Sequence, residues 1–306
     1  MSILFAFPGQ GAQQPGMLHR LPEGSQPLIE QADAVLGESI LGLDTPEALQ
    51  STRAVQLCLL VAGVAWARWL LQRNPPPDFV AGLSIGAYPA AVVVDALDFA
   101  DAVSLVALRG ELMQRAYPHG YGMMALGGMD LEQVEQVLSE VPGKVYVANL
   151  NGDQQIVIAG RDTDMARVAQ RIHQRGQGTA RRLAVSVPSH CALLNEPAAR
   201  LAEAFAHVSL RRPRITYLSG STARPVHDPA RLAQDLAGNM ATRVEWRATL
   251  RNAYERGVRL QVELPPGSVL SGLARKILEQ GRVVAVEATR PDTVDALMRQ
   301  EVLQHR

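Results

Sequence analysis

Cysteine is scarce in this 306-residue chain: only Cys58 and Cys191, far apart in sequence. That excludes a disulfide-built scaffold and points to free thiols in a reducing compartment, so a cytoplasmic location is expected. Excess charge is missing too. Lys+Arg and Asp+Glu both number 30, giving a formal net charge of zero, which argues against a nucleic-acid binder. The opening MSILFAFPGQG has neither a basic leader nor a long apolar run and reads as a first β-strand, not a signal peptide. The most apolar stretch, Ala54 to Leu71, is interrupted by Gln56 and Arg68 and flanked by Arg53 and Arg73. A buried helix accounts for it better than a membrane span, which needs about 20 mostly apolar residues.

What is present is core. Hydrophobic residues make up 47% of the chain, enough for one large domain with a smaller one inserted. Ile3–Phe7 reads as a strand ending at Pro8-Gly9, and Phe79–Leu83 as a second. Between them Thr52 is placed to cap a helix running to about Arg73, where Asn74 and three prolines stop it. Asp98 is placed to cap another, Phe99 to about Ala116. The segment that follows has its own rhythm: strand Gly122–Leu126, helix Leu131–Ser139, strands Lys144–Ala148 and Gln155–Ala159, helix Met165–Arg175, strand Ala180–Val185. This β-α-β-β-α-β order is the ferredoxin-like arrangement. After Pro188, strands near Ile215–Leu218, Arg259–Glu263 and Val283–Val286 alternate with helices, implying a mostly parallel sheet. The expected division is a large α/β domain from 1–117 and 189–306, with a small domain at 118–188.

The chemistry centres on Gly82-Leu83-Ser84-Ile85-Gly86, a G-x-S-x-G after a strand and before a helix. That context suits a nucleophile elbow, in which a strained turn lifts the serine hydroxyl off the sheet and leaves backbone N–H groups for an oxyanion. A glycine-rich turn with a passive serine is the alternative. A nucleophilic serine needs a base. Of seven histidines, His19, His119, His207, His227 and His305 lie in polar or turn surroundings, and His173 sits in a charged helix. His190, in VSVPSHC at the second crossing between the two expected domains, is the candidate. Arg109 sits mid-helix among Val103, Leu105, Val106, Leu108 and Leu112, so a partly buried arginine is plausible there.

FPGQGAQ, GLSIGAY, RGELMQ, NLNGDQQIVIAG and VSVPSHCALL occur in this order. Together they resemble the malonyl-CoA:acyl-carrier-protein transacylase family, over Phe7 to about Leu278. The resemblance implies an α/β-hydrolase-like large domain with a parallel sheet and an inserted ferredoxin-like small domain. It implies Ser84 as the nucleophile that takes malonyl from malonyl-CoA, and His190 as base and then acid. It implies an oxyanion hole from the N–H groups of Gln10 and Ile85, Arg109 as partner of the malonyl carboxylate, and a backbone carbonyl at Asn239 orienting the histidine. Asn149, Asn151 and Gln155 match positions near the crevice, although the asparagines also suit turns. Arg167, Arg171 and Arg175 share a helix face, with Arg181 and Arg182 nearby. These arginines would either meet CoA phosphates or an acidic carrier protein, or form a solvated face. No metal, no permanently bound cofactor, no nucleic acid and no membrane is implied.

Three departures stand out. Leu83 replaces the family's usual histidine, Ala87 its usual acidic residue, and Pro265 its usual glycine. Leu83 and Ala87, with the FPGQGAQQPGML opening and the STRAVQLCLLVAGVA helix, look most like the transacylase (epsilon) subunit of bacterial malonate decarboxylase. That implies a dedicated carrier subunit bearing a dephospho-CoA-derived arm as acceptor. An acyl carrier protein of fatty-acid or polyketide synthesis is the alternative acceptor. A serine hydrolase using the same elbow is a further reading, but its acid would have to come from Asp153, Asp162 or Asp164, none with an obvious route to His190. A non-catalytic interaction module is disfavoured by the intact Ser84, His190 and Arg109.

Overall fold

The computed structural model describes residues 2–303, so His305 lies outside the described residues. The chain opens with β1 (Ser2–Phe7) and runs through α1 (Gln26–Leu36) and α2 (Thr52–Arg73) to β2 (Phe79–Gly82). A 3-10 turn at Ser84–Gly86 leads into α3 (Ala87–Val93) and α4 (Phe99–Ala116). Then come β3 (Tyr121–Gly127), α5 (Leu131–Glu140), β4 (Val145–Gly152), β5 (Gln155–Arg161), α6 (Asp162–Gln174) and β6 (Thr179–Arg182). The return carries α7 (Asn195–Phe205), β7 (Thr216–Leu218), β8 (Pro225–Val226), α8 (Pro229–Gly238), α9 (Trp246–Glu255) and β9 (Val258–Glu263). It ends with α10 (Val269–Ala274), β10 (Arg282–Ala285) and α11 (Pro291–Leu303).

The large sheet has the order β10-β9-β1-β2-β7-β8. Every pairing is parallel except β7 with β8. β1 is central, and its sequence, SILFAF, shows no polar alternation because both faces are covered. Ile3, Phe5 and Phe7 enter the main core on one side, while Leu4 and Ala6 join Trp246 and Leu250 on the other. α2 is apolar on every side and carries no strong polar face, as a helix enclosed by protein requires. By length and hydropathy it could cross a membrane, yet 78% of its most apolar window is buried within the fold.

The small sheet has the order β4-β5-β3-β6, antiparallel throughout, which is the ferredoxin-like order of strands. Its alternation explains its two faces. Met124, Leu126, Ile156 and Ile158 pack under α5 and α6 with Met165, Val168 and Ile172. Met123, Ala125 and Val157 point the other way, into a cleft against the large sheet. The two units are stitched at one edge, where Leu150 N–H donates to the Val244 carbonyl (2.8 Å) and Val244 N–H to that of Ala148 (2.9 Å).

Several local expectations need correction. Thr52 does not cap α2; it is the first helical residue, and its N–H donates to Gln114 Oε1, as does the Ser51 hydroxyl. Asp98 occupies the cap position of α4 but makes no capping bond, because its carboxylate is held by Arg211 at 2.7 and 3.1 Å. Leu83 leaves the second strand, which ends at Gly82. The last small-sheet strand stops at Arg182, not Val185, and β8 was not foreseen, since two residues at a sheet edge carry no periodicity.

The elbow tests this packing. A Cβ on Gly82 would overlap the Gly86 carbonyl carbon and oxygen, whereas one on Gly42 meets nothing within 4 Å. Overpacking costs about 1–3 kcal/mol where side chains can yield. Here backbone must move, so Gly82→Ala should lose at least that much in a denaturant titration. Gly42→Ala should stay within about 0.5 kcal/mol of the parent, as an uncrowded surface change does.

Candidate active site

Ser84 stands on the elbow between β2 and α3 with φ 57, a left-handed conformation uncommon for serine. The turn is held from behind: Gly86 lies against the Phe7 and Pro8 carbonyls so closely that a Cβ there would overlap Phe7 O. Two short peptide runs, the end of β1 and the elbow, are thus back to back. The N–H groups of Gln10 and Ile85 make no hydrogen bond among the described residues and belong to these two runs. Leu83 packs against the same loop, 2.7 Å from where a Cβ on Gly9 would sit, and lines the cleft beside Ser84. Ala87 is buried in the main core and does not border the cleft.

Arg109 reaches the elbow from α4 and is fully buried. Its Nη1 donates to Gln56 Oε1 (2.7 Å) on α2. Its Nη2 donates to Asn239 Oδ1 (3.1 Å) and to the Ser84 hydroxyl oxygen (3.2 Å). The guanidinium carbon lies 5.9 Å from the centre of the Tyr88 ring. Burial lowers its pKa from the ordinary value, but a guanidinium remains charged near neutrality. Its contacts are all to neutral groups, and Nε has no partner. No carboxylate among the described residues pairs with it. A buried cation left so is costly and calls for an anion.

His190 also has a positive φ, 64, fixed by its N–H donating to the Met240 carbonyl. Nδ1 faces two carbonyls, Asn239 O at 2.7 Å and Thr242 O at 3.2 Å. That assigns the proton to Nδ1 and leaves the Nε2 lone pair as the ring's basic site. Burial, and then the nearby Arg109 charge, lower its pKa to about 4, against the opposing pull of the two carbonyls. The carboxylates that a hydrolase reading would need lie elsewhere. Asp153 pairs with Arg247, Asp162 with Arg182, and Asp164 with Arg167.

Ser84, His190, Gln10, Leu83, Asn149, Asn151, Gln155, Arg181 and Arg182 all line one cleft of about 450 Å³ between the large sheet and the open face of the small one. Asn149 Oδ1 and Asn151 Oδ1 are buried there without partners. Arg181 is exposed at its mouth. Arg182 is not free for a ligand phosphate: it donates to Asp162 (2.9 Å) and to the Tyr121, Met123, Leu183 and Val185 carbonyls, closing the small sheet. The Arg167, Arg171 and Arg175 stripe is likewise internal to the small unit. Arg171 and Arg175 pair with Glu140 at the end of α5, and Arg167 with Asp164.

A family model described as the acyl transferase domain matches residues 4–304. The chain belongs to this family. It is 36% identical over 291 residues to the malonyl CoA-acyl carrier protein transacylase of Haemophilus influenzae, covering 92% of this chain and 93% of that one. It is 33% identical to a polyketide-biosynthesis malonyl CoA-acyl carrier protein transacylase of Bacillus subtilis, covering 90% and 96%. Among solved structures it resembles an acyl carrier protein S-malonyltransferase of Vibrio cholerae with TM-score 0.89 and 32% identity, covering 97% and 100%. A malonyl-transacylase solved in complex with its type II polyketide acyl-carrier protein matches equally well, with TM-score 0.89 and 32% identity over 94% of this chain and 97% of that one.

Two features of this site are not announced by the sequence. Gln56 was seen only as an interruption of an apolar run. A buried amide in such a run always needs a partner, and that was the available signal. The side chain of Asn239 also does more than its backbone: Nδ2 donates to the Ser84 carbonyl (3.2 Å) while Oδ1 holds Arg109. Val269, Leu270 and Leu273 of α10 complete the cleft wall and carried no motif.

The histidine geometry yields a titration. By NMR, the His190 ring should titrate near pH 4 and not at the ordinary 6.5. Between those values the unfolded chain binds more protons, so this group's contribution is full above about 6.5 and is lost as pH falls through 4. The loss is on the order of 3 kcal/mol. His190→Asn should flatten that part of the stability–pH curve.

Proposed function

We propose that this acyltransferase moves malonyl from malonyl-CoA to the thiol of a carrier-protein prosthetic arm through a malonyl-Ser84 intermediate. The observation that carries the reading is Arg109, a buried cation that reaches the Ser84 hydroxyl and has no carboxylate partner among the described residues. A bidentate ion pair with the free carboxylate of a malonyl group satisfies that charge and sets the thioester carbonyl beside Ser84. His190 Nε2 takes the hydroxyl proton as Ser84 Oγ bonds to the thioester carbon. The Gln10 and Ile85 N–H groups receive the developing oxyanion. The C–S bond then breaks, His190 returns the proton to sulfur, and CoA leaves. A carrier thiol repeats the sequence in reverse, its proton passing to His190 and then to Ser84. Arg181 at the cleft mouth is placed for the CoA or carrier side of either half-reaction, and Asn149, Asn151 and Gln155 for the acyl chain's polar atoms. Two buried free cysteines suit a cytoplasmic setting.

An acyl carrier protein of fatty-acid or polyketide synthesis fits the comparisons better as the acceptor than the malonate decarboxylase carrier subunit, whose case rests on Leu83, Ala87 and two unremarkable stretches. Leu83 does border the nucleophile, but Ala87 faces the core and bears on no ligand.

Intact-protein mass spectrometry after brief exposure to malonyl-CoA should show a malonyl adduct on the parent and none on Ser84→Ala. His190→Ala should acylate about 10²–10⁴-fold more slowly, the usual contribution of a positioned base. An adduct persisting on the alanine variant defeats the assignment of the nucleophile. Arg109→Ala should cost malonyl transfer about 2–5 kcal/mol of transition-state stabilisation, as truncating one side of a buried charge pair does. The two carriers, each with its own arm, should then compete for malonyl from the isolated adduct, with the acyl carrier protein preferred. A kinetic preference for the decarboxylase carrier reverses that choice.

A further inference from the structure

The contact between Arg109 and Ser84 is not needed for the proton and acyl transfers above. Both Nη2 hydrogens of Arg109 are engaged, one by Asn239 Oδ1 and one by Ser84 Oγ. Among the described residues this is the hydrogen bond that Ser84 Oγ makes; none joins it to His190, although both line the same cleft. The hydroxyl oxygen is therefore held by the cation and makes no hydrogen bond to the base. A hydrogen bond from a charged donor occupies an oxygen lone pair and draws electron density from it, which blunts a nucleophile.

We infer that the carboxylate of the acyl group switches the nucleophile on: by taking the Arg109 Nη2 hydrogen from Ser84, it frees the hydroxyl to turn to His190. The inference rests on the nucleophile and acyl group proposed above. The exchange is downhill because a carboxylate accepts from a guanidinium far more strongly than a neutral hydroxyl does. The guanidinium is already committed in place by Gln56 and Asn239, so it does not have to move. The switch calls for a rotation of Ser84 about χ1, between staggered positions. Once freed, Ser84 Oγ gives its proton to Nε2, bonds to the thioester carbon and expels the thiolate, which takes the proton back. An acetyl thioester has no carboxylate and leaves Ser84 tied to Arg109. Selection for an anionic acyl group then acts on the rate constant for acylation as well as on binding. It also restrains reaction of Ser84 with neutral esters that drift into the cleft.

The test uses a neutral alkyl fluorophosphonate, which reacts by forming a Ser Oγ–P bond and releasing fluoride and a proton. Labelling is followed by intact mass and mapped to Ser84. The full chain should label slowly. Acetate, a small carboxylate able to occupy Arg109, should accelerate that labelling saturably. Arg109→Met should label faster than the parent by about tenfold, the effect of removing one charge-assisted hydrogen bond, and should ignore acetate. Should Arg109→Met fold poorly, the acetate dependence of the parent decides alone. Labelling of Arg109→Met at or below the parent rate, or no acetate effect on the parent, overturns the switch. If malonyl-CoA still forms the Ser84 adduct in that case, the proposed function stands without it. If neither reagent modifies Ser84, the nucleophile assignment and the switch fall together.

Discussion

A cation buried without a counter-ion among the described residues is the constraint around which this site is arranged. Arg109 stands on α4 and is enclosed by α2, α3 and the turn after α8, each of which contributes a neutral group: Gln56, the Tyr88 ring and Asn239. Neutral amides orient a guanidinium without cancelling its charge. The field it projects falls on the elbow serine and on His190, whose pKa it helps depress. A carboxylate in place of Gln56 would satisfy the charge of Arg109 internally.

The elbow depends on the same economy of space. β1 is covered on both faces, so its C-terminal end can press directly on Gly86, and only glycine permits that approach. Forcing Ser84 to φ 57 is the local strain that results, and neighbouring backbone on both sides holds it. The open face of the small sheet closes the cleft from the other side, tied by the Leu150–Val244 pairing. Arg109 is itself fully buried, so its charge acts through a medium less polar than bulk solvent.

Asn239 links these parts. Its carbonyl fixes the His190 tautomer, its Oδ1 holds Arg109, and its Nδ2 holds the Ser84 backbone. One residue in a short turn therefore sets His190, Arg109 and Ser84 relative to one another. Such a hub explains why the histidine needs no carboxylate: two carbonyls suffice to orient a neutral imidazole, and a carboxylate there would compete for Arg109.

The linear order of residues already contained the fold class. Uninterrupted apolar strands, the β-α-β-β-α-β rhythm after Gly120 and the glycines around Ser84 are consequences of backbone geometry and period, which are local properties. Ser84, His190 and Arg109 stand out as candidates for the same reason, since each sits in a motif or an apolar run that its residue type does not suit, and the fold brings them together. The partners of those residues were not legible. Thr52 and Asp98 looked like caps, but Gln114 and Arg211, distant in sequence, took their places in the hydrogen-bonding. Arg182 looked like a ligand contact until its fold-mates claimed its donors. Gln56, 53 residues from Arg109, became its anchor only through the packing of α2 on α4. Hydrogen bonds and charge pairs across such separations depend on which surfaces meet, and that is decided by tertiary packing.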